Sequence, residues 1–412
     1  MIGTPLSNRL HIGIFGRRNA GKSTLINALT GQDIAIVSST PGTTTDPVYK
    51  AMEIHGVGPV VVIDTGGIDD SGDVGAQRVK KAYKVLNKTD IAVVLIDAQA
   101  GMSRYEERII AEVGHRKIPL IIAVNKIDAA PEFSQLSREL GTKKIDFLSI
   151  SASKGTGIDE LRKKIAASAP DDFERKIILR DLLSPSDIVV MVAPLDIEAP
   201  KGRLKLPQVQ TIRDVLDSDC STIVVKESDL ERTLKNLKTP PKLVIAESHV
   251  FGAVASVVPQ DIPITSFSVL YARYKGDLDT LVAGARSLDT LKAGDKILIS
   301  EACTHHPIGD DIGRVIIPNL LKKKLGAQPR LDYVAGYDFP GNVSQYRLVI
   351  HCGGCMLNRR EMLYRISVAK EHAIPITNYG MVIAHLLGIL DRVLLPFTNA
   401  THRAEEPQCA TV

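Results

Sequence analysis

Two groups of residues in this chain have the types and spacing for chemistry. The first is Gly16–Ser23, GRRNAGKS, which matches G-x-x-x-x-G-K-[ST]. Glycines at such a turn let successive backbone amides wrap phosphate oxygens, and a following helix N-terminus adds positive potential. Gly16, Asn19, Gly21, Lys22, Ser23 and Thr24 are the phosphate-site candidates, with Lys22 for the β- and γ-phosphates and Ser23 for Mg²⁺. The second group is CTH at Cys303–His305 together with HCGGC at His351–Cys355. Thiol and imidazole at such spacing bind metals or exchange disulfides.

The first group has companions in chain order. DTGG, Asp64–Gly67, offers a carboxylate for water-bound Mg²⁺ and, at Gly67, an amide for the γ-phosphate. NKID, Asn125–Asp128, includes Lys126 and offers the Asp128 carboxylate. That carboxylate can accept from both N1–H and the 2-amino group of guanine, and adenine presents neither donor. The pairing favours GTP over ATP. SAS, Ser151–Ser153, follows the next strand, and its amides around Ser151 and Ala152 could meet guanine O6. PGTTTD at 41–46 lies where a switch segment belongs. Apart from PGTTTD, which lies between the P-loop and DTGG, the four motifs each follow an apolar stretch read as a strand, and ligands of open α/β sheets bind at that carboxyl edge.

The elements that would position these residues are legible in outline. LHIGIF, PVVVID, IAVVLID, PLIIAVN and IDFLSIS are short, nearly continuous apolar runs, as strands of a parallel sheet buried on both faces require. EIH before Gly56 ends an antiparallel edge strand. After a polar joint, DIVVMVAP, STIVVK and KLVIAES read as strands of a second α/β layer, separated by helical segments and lacking any glycine-rich phosphate fingerprint. DKILIS, LDYVAGYDF and YRLVIH read as strands of a third, which ends in the helices NRREMLYRISVAKEHA and MVIAHLLGILDRVLLPF. The expected organisation is α/β throughout, in three domains: a P-loop GTPase fold over 7–172, a middle α/β domain over 180–265 and a C-terminal α/β domain over 266–400.

Composition sets bounds. A formal net charge of +4 and 4% aromatic residues over 412 residues argue against a nucleic-acid surface, which needs clustered basic charge and stacking rings. LKKKLG, 321–326, is the one basic cluster of the third segment and reads as a solvated helix face. No leader-like apolar run opens the chain, and the longest uncharged stretch, near 373–390, contains Pro375, Asn378 and Gly380. These features predict a cytoplasmic protein without a membrane partner. With five cysteines and no export signal, metal or catalysis is favoured over disulfides, and Cys409 in the frayed tail is a bystander.

Three chemistries fit the second group. Cys303, His305, Cys352 and Cys355 make a structural zinc set. CGGC is also the C-x-x-C of thiol exchange, and three cysteines can hold an iron–sulfur cluster whose fourth iron is open or weakly ligated. The surplus of histidines, at His305, His306 and His351, and the lack of a fourth nearby cysteine favour a site with an exchangeable position. Asn358 is expected to cap the helix after CGGC.

The nucleotide motifs resemble the translation-factor-related GTPases, in particular the group of Era and the tRNA-modifying GTPase MnmE. That resemblance implies that Thr44 closes on Mg²⁺ in the GTP state. It also implies that Ile68, standing where Ras-like GTPases place a water-orienting glutamine, is bypassed by a K⁺ ion held partly by Asn19. CTH and HCGGC behind such a GTPase resemble the HydF family of FeFe-hydrogenase maturation GTPases. With the K⁺ reading above, hydrolysis is expected to be slow and K⁺-stimulated, and this second resemblance implies a GTPase that is also a homodimeric scaffold. Its middle domain would dimerise. Its last domain would hold a 4Fe-4S cluster on Cys303, Cys352 and Cys355, with His305, His306, His351 or Asp310 as candidates beside the fourth iron. It would carry the two-iron precursor from radical-SAM maturases to apo-FeFe-hydrogenase. The competing readings are a ribosome- or tRNA-associated GTPase with a structural zinc domain, and a general iron–sulfur carrier.

Overall fold

The computed structural model describes residues 4–31, 47–65, 81–130, 134–170, 177–194, 204–302, 311–336 and 338–398. Thr44, Gly67, Ile68, Cys303, His305, His306, Asp310 and Cys409 lie outside them. The chain divides into two compact units, Met1–Arg175 and Lys176–Val412.

The first unit is built on a six-stranded sheet. Its strands are β1 (Leu10–Phe15), β2 (Val48–Ile54), β3 (Gly58–Asp64), β4 (Ile91–Asp97), β5 (Leu120–Asn125) and β6 (Leu148–Ser149), in the order β2-β3-β1-β4-β5-β6. β2 runs antiparallel at the edge and the others are parallel. All six residues of β1 are buried, because helices cover both faces of the sheet and split the apolar core in two. The expected strand IDFLSIS shrinks to the two residues of β6. Ile150, just beyond it, is still fully buried, and its amide donates to Val124 O at 2.8 Å.

The second unit contains two four-stranded parallel sheets. One comprises β7 (Ile188–Val192), β8 (Ser221–Val225), β9 (Leu243–Ala246) and β10 (Ile264–Ser266), in the order β10-β9-β7-β8. The other comprises β11 (Lys296–Glu301), β12 (Arg330–Ala335), β13 (Leu348–His351) and β14 (Ile376–Asn378), in the order β12-β11-β13-β14. One apolar core runs through both, from Val189 and Val244 to Val349 and Ile376. Helix Phe267–Lys275 follows β10 directly, started by the Ser266 hydroxyl, which accepts from the Val269 amide at 3.2 Å.

The sequence MVIAHLLGILDRVLLPF forms two helices and not the single one expected. Tyr379–Leu386 and Leu390–Thr398 meet at a bend of 119°. Gly388, at φ +73°, supplies the left-handed turn between them, where a side chain would be strained. Among the described residues no single helix is long and apolar enough to cross a membrane.

Candidate functional site

The phosphate loop leaves β1 and enters helix Lys22–Thr30. Its conformation explains its composition. Gly16, Asn19 and Gly21 all have positive φ, at 155°, 62° and 93°. A Cβ on Gly21 would stand 2.3 Å from Asn125 Nδ2, and one on Gly16 would stand 2.5 Å from Leu95 O. The third non-conforming position is filled by asparagine, which tolerates the left-handed region better than most residues. Lys22 is buried, and its Nζ donates to Gly16 O at 2.8 Å and Arg17 O at 2.9 Å, inside the curve of the loop.

Ser23 Oγ donates to Asp64 Oδ2 at 3.1 Å, so the two expected Mg²⁺ groups meet at the end of β3. Burial pushes the Asp64 carboxyl above its ordinary range, and Lys22 and Ser23 pull it back. A divalent cation between these oxygens would relieve that cost. Thr24 sits in the first turn of the same helix.

Asn125 ties three motifs together. Its Nδ2 donates to Ala20 O at 2.8 Å, and its Oδ1 accepts from the Ala152 amide at 2.9 Å. The Ala152 amide expected to face guanine is thus engaged by Asn125. Ser151 Oγ donates to Asp128 Oδ1 at 2.6 Å, which holds the exposed Asp128 carboxyl below its usual range and keeps it an acceptor. Lys126, at φ +66°, reaches Asp97 Oδ2 at 2.6 Å.

One anchor of the phosphate loop was not read from the sequence. Glu106 is completely buried, and its Oε1 accepts from Arg17 N at 3.1 Å and Arg17 Nε at 3.2 Å. It is also the third residue of a capping box opened by Ser103, whose amide donates to Glu106 Oε2 at 2.9 Å. An S-x-x-E pattern in sequence points to a helix cap and says nothing about the loop.

At the second site, β11 and β13 are parallel neighbours in the register Ser300↔His351. The segments leading to Cys303 and to Cys352 therefore leave the sheet side by side. The Cys352 amide donates to Ser300 O at 2.8 Å, and the Ala302 amide donates to Cys352 Sγ at 3.1 Å. Cys352 and Cys355 are both half-buried and form no disulfide. Gly354, at φ +62°, turns the chain between them. Asn358 caps the next helix, Arg359–Glu371, as expected, accepting from the Glu361 amide at 3.1 Å.

His351, one of the four candidates beside the fourth iron, is held inside the protein. It is fully buried, its Nε2 accepts from Arg365 Nη1 at 2.9 Å, and its Nδ1 contacts Cys352 O at 2.6 Å. A guanidinium can only donate, so Nε2 is the acceptor and Nδ1 carries the proton. Burial, and then the Arg365 charge, push its pKa down to about 3, so the ring is neutral with both nitrogens committed within the protein. Arg365 is itself completely buried and also pairs with Glu361 Oε1 at 3.1 Å and Gly336 O at 2.8 Å. Nothing in the spacing of NRREMLYRIS signalled this, because a buried arginine looks like a surface one in sequence. Among the described residues no group of three metal-ligating side chains converges, and Cys303 and His305 are outside them. A half-exposed pair of thiols on a glycine turn, with a sulfur accepting from an amide, fits the thiolate ligation of an iron–sulfur cluster.

Comparison with known proteins agrees with this architecture. Residues 178–276 match the hydrogen maturase F dimerization domain, residues 279–396 match the hydrogen maturase F tetramerization domain, and residues 11–126 match the 50S ribosome-binding GTPase family. The tRNA modification GTPase MnmE of Acetivibrio thermocellus is 38% identical over 153 residues, covering 37% of this chain and 33% of the relative. GTPase Der of Kosmotoga olearia is 37% identical over 172 residues, covering 38% of each chain. The chain thus spans about a third of the length of these curated relatives. Among solved structures, Era of Aquifex aeolicus aligns over 52% of this chain and 93% of its own at 24% identity and a TM-score of 0.36. A GTPase-type unit followed by both maturase-specific domains makes this chain a member of the HydF, or hydrogen maturase F, family.

Proposed function

We propose that this chain is a hydrogenase-maturation GTPase that holds a 4Fe-4S cluster, carries the two-iron precursor and delivers it to apo-FeFe-hydrogenase. GTP binding and hydrolysis would time partner exchange. The observation that supports the cluster half is the Ser300↔His351 register, which sets side by side the ends of the two strands that precede Cys303 and Cys352 in the chain. Cys352 and Cys355, with Cys303, would hold the cluster, which would supply an iron with an exchangeable position. Dimerisation through the middle domain and higher assembly through the last one follow the family domains matched. The direct test is activation: the chain isolated from cells with its radical-SAM maturases should convert apo-hydrogenase to a hydrogen-evolving form. An inactive mixture, with the hydrogenase proven competent by another route, would return the argument to a tRNA- or ribosome-associated GTPase.

In the first unit, Gly16–Ser23 would cradle the phosphates, Ser23 and Asp64 would hold Mg²⁺, and Asp128 would read guanine. Asp128→Asn should weaken GTP binding and admit xanthosine nucleotides, since an amide can donate where the carboxylate only accepts. Competition binding with GTP, ATP and XTP checks this, and equal turnover of ATP and GTP by the wild type would remove the guanine assignment.

Asn19 is exposed on the loop, where its carbonyl could share a K⁺ ion beside the γ-phosphate. Hydrolysis should accordingly be slow, and faster in K⁺ than in Na⁺ at constant Mg²⁺. Asn19→Ala should erase the difference. Identical wild-type rates in the two salts would exclude the cation.

A further inference from the structure

Two buried cations lie beneath the CGGC turn, and the proposed function uses neither. Lys275 ends helix Phe267–Lys275 and is 3% exposed. Its Nζ donates to Cys355 O at 2.8 Å and to Leu357 O at 2.8 Å, and stands 5.4 Å from the centre of the Tyr271 ring. Arg365 approaches the other end of the turn. Its Nη1 donates to His351 Nε2 at 2.9 Å and lies 3.4 Å from Ser300 Oγ, and its guanidinium lies 5.3 Å from the Phe339 ring centre. His351 relays this contact to Cys352 O. One cation therefore grips the carbonyl of the first cysteine of the turn through a neutral imidazole. The other grips the carbonyl of the second directly.

Burying an ammonium or a guanidinium is costly; carbonyl dipoles offset the cost of Lys275 only in part, and the buried Glu361 carboxylate, 3.1 Å from Arg365 Nε, offsets that of Arg365. A turn that only needed bracing could use neutral donors. Fixed positive charge does something more beside a cluster. Thiolate ligands make the group anionic, and adding an electron makes it more so. A cation in a low-dielectric surround stabilises the reduced form most. The Ala302 amide on Cys352 Sγ acts in the same direction.

We infer that Lys275 and Arg365 are positioning residues of the cysteine site: they hold the turn that presents Cys352 and Cys355, and the Lys275 charge, with the Arg365 guanidinium that balances buried Glu361, favours the reduced state of a cluster bound there. The inference rests on the cluster reading above. It concerns how the site is tuned and leaves the identity of the ligands untouched.

The test is a potentiometric titration, followed by EPR, of the full chain reconstituted anaerobically with iron and sulfide. Wild type is compared with Lys275→Met, Arg365→Met and Arg365→Lys. Lys275→Met keeps the length of the side chain and removes its charge. At a fixed potential its reduced-to-oxidised ratio should fall about tenfold, a shift of about 59 mV for one electron. Arg365→Met should fall similarly, and Arg365→Lys, which keeps the charge, should stay near wild type. A folded Lys275→Met chain that takes up no cluster would support the holding role. Lys275→Met at the wild-type potential would overturn the inference, as would Arg365→Lys displaced as far as Arg365→Met. Should the methionine variants lose the wild-type oligomeric mass, Arg365→Lys decides alone: an unchanged potential upholds the charge account and a tenfold fall overturns it. A wild type that takes up no iron would instead defeat the cluster reading itself.

Discussion

Lys22→Ala is expected to abolish GTP hydrolysis, by about 10²-fold or more, and to leave the iron content of the protein unchanged. The ammonium lies inside the phosphate loop, held by Gly16 O and Arg17 O. It is the buried positive charge of that loop, and alanine offers neither the charge nor the reach. Glu106 and Asn125 keep the loop backbone in place independently of Lys22, through Arg17 N and Ala20 O. The loss should therefore fall on nucleotide chemistry more than on folding. The two sites belong to separate compact units with separate cores, so the cysteine site should not register the change. Phosphate release at saturating GTP, measured beside iron per chain, checks both halves. Turnover within a few-fold of wild type would contradict the loop's assignment.

The second large effect is expected at the cysteines. Cys352→Ala, Cys355→Ala and Cys303→Ala should each lose most of the about four irons of a cubane cluster and with them hydrogenase activation. Cys220→Ala should lose neither. Cys220 lies in the apolar core of the second unit, its Sγ 3.0 Å from Ser184 O, and burial pushes its thiol up. Buried there as a thiol, it is not presented to solvent as a ligand. A Cys352→Ala chain with full iron and full activation would contradict the assignment.

Much of this was legible because it was written in period and order. The parallel strands announced themselves as continuous apolar runs, and the nucleotide motifs fell at their ends, so the carboxyl edge of the first sheet could be assembled without coordinates. The parallel pairing of β11 and β13 was readable only as a condition, since register is a long-range property. Three things were hidden. Helix Phe267–Lys275, which delivers Lys275 to the CGGC turn, carries apolar, aromatic and basic residues with no clear stripe. The bend at Gly388 sits inside an apolar run that periodicity treats as one helix. The contact of His351 depends on a buried arginine fourteen residues away in sequence, a long-range pairing that residue spacing does not report. Sequence reports which side chains could bind a metal. It does not report which are already satisfied by hydrogen bonds.

The proposed function joins a GTP-switch unit and an iron–sulfur unit in one chain. Anaerobic reconstitution of the wild-type chain with iron and sulfide, followed by EPR of the dithionite-reduced protein, tests it most directly. Iron and sulfide uptake in equal amounts is expected, with a reduced-cluster signal that disappears in Cys352→Ala. Stoichiometric zinc in anaerobically prepared protein, with no iron taken up and no signal, would contradict it.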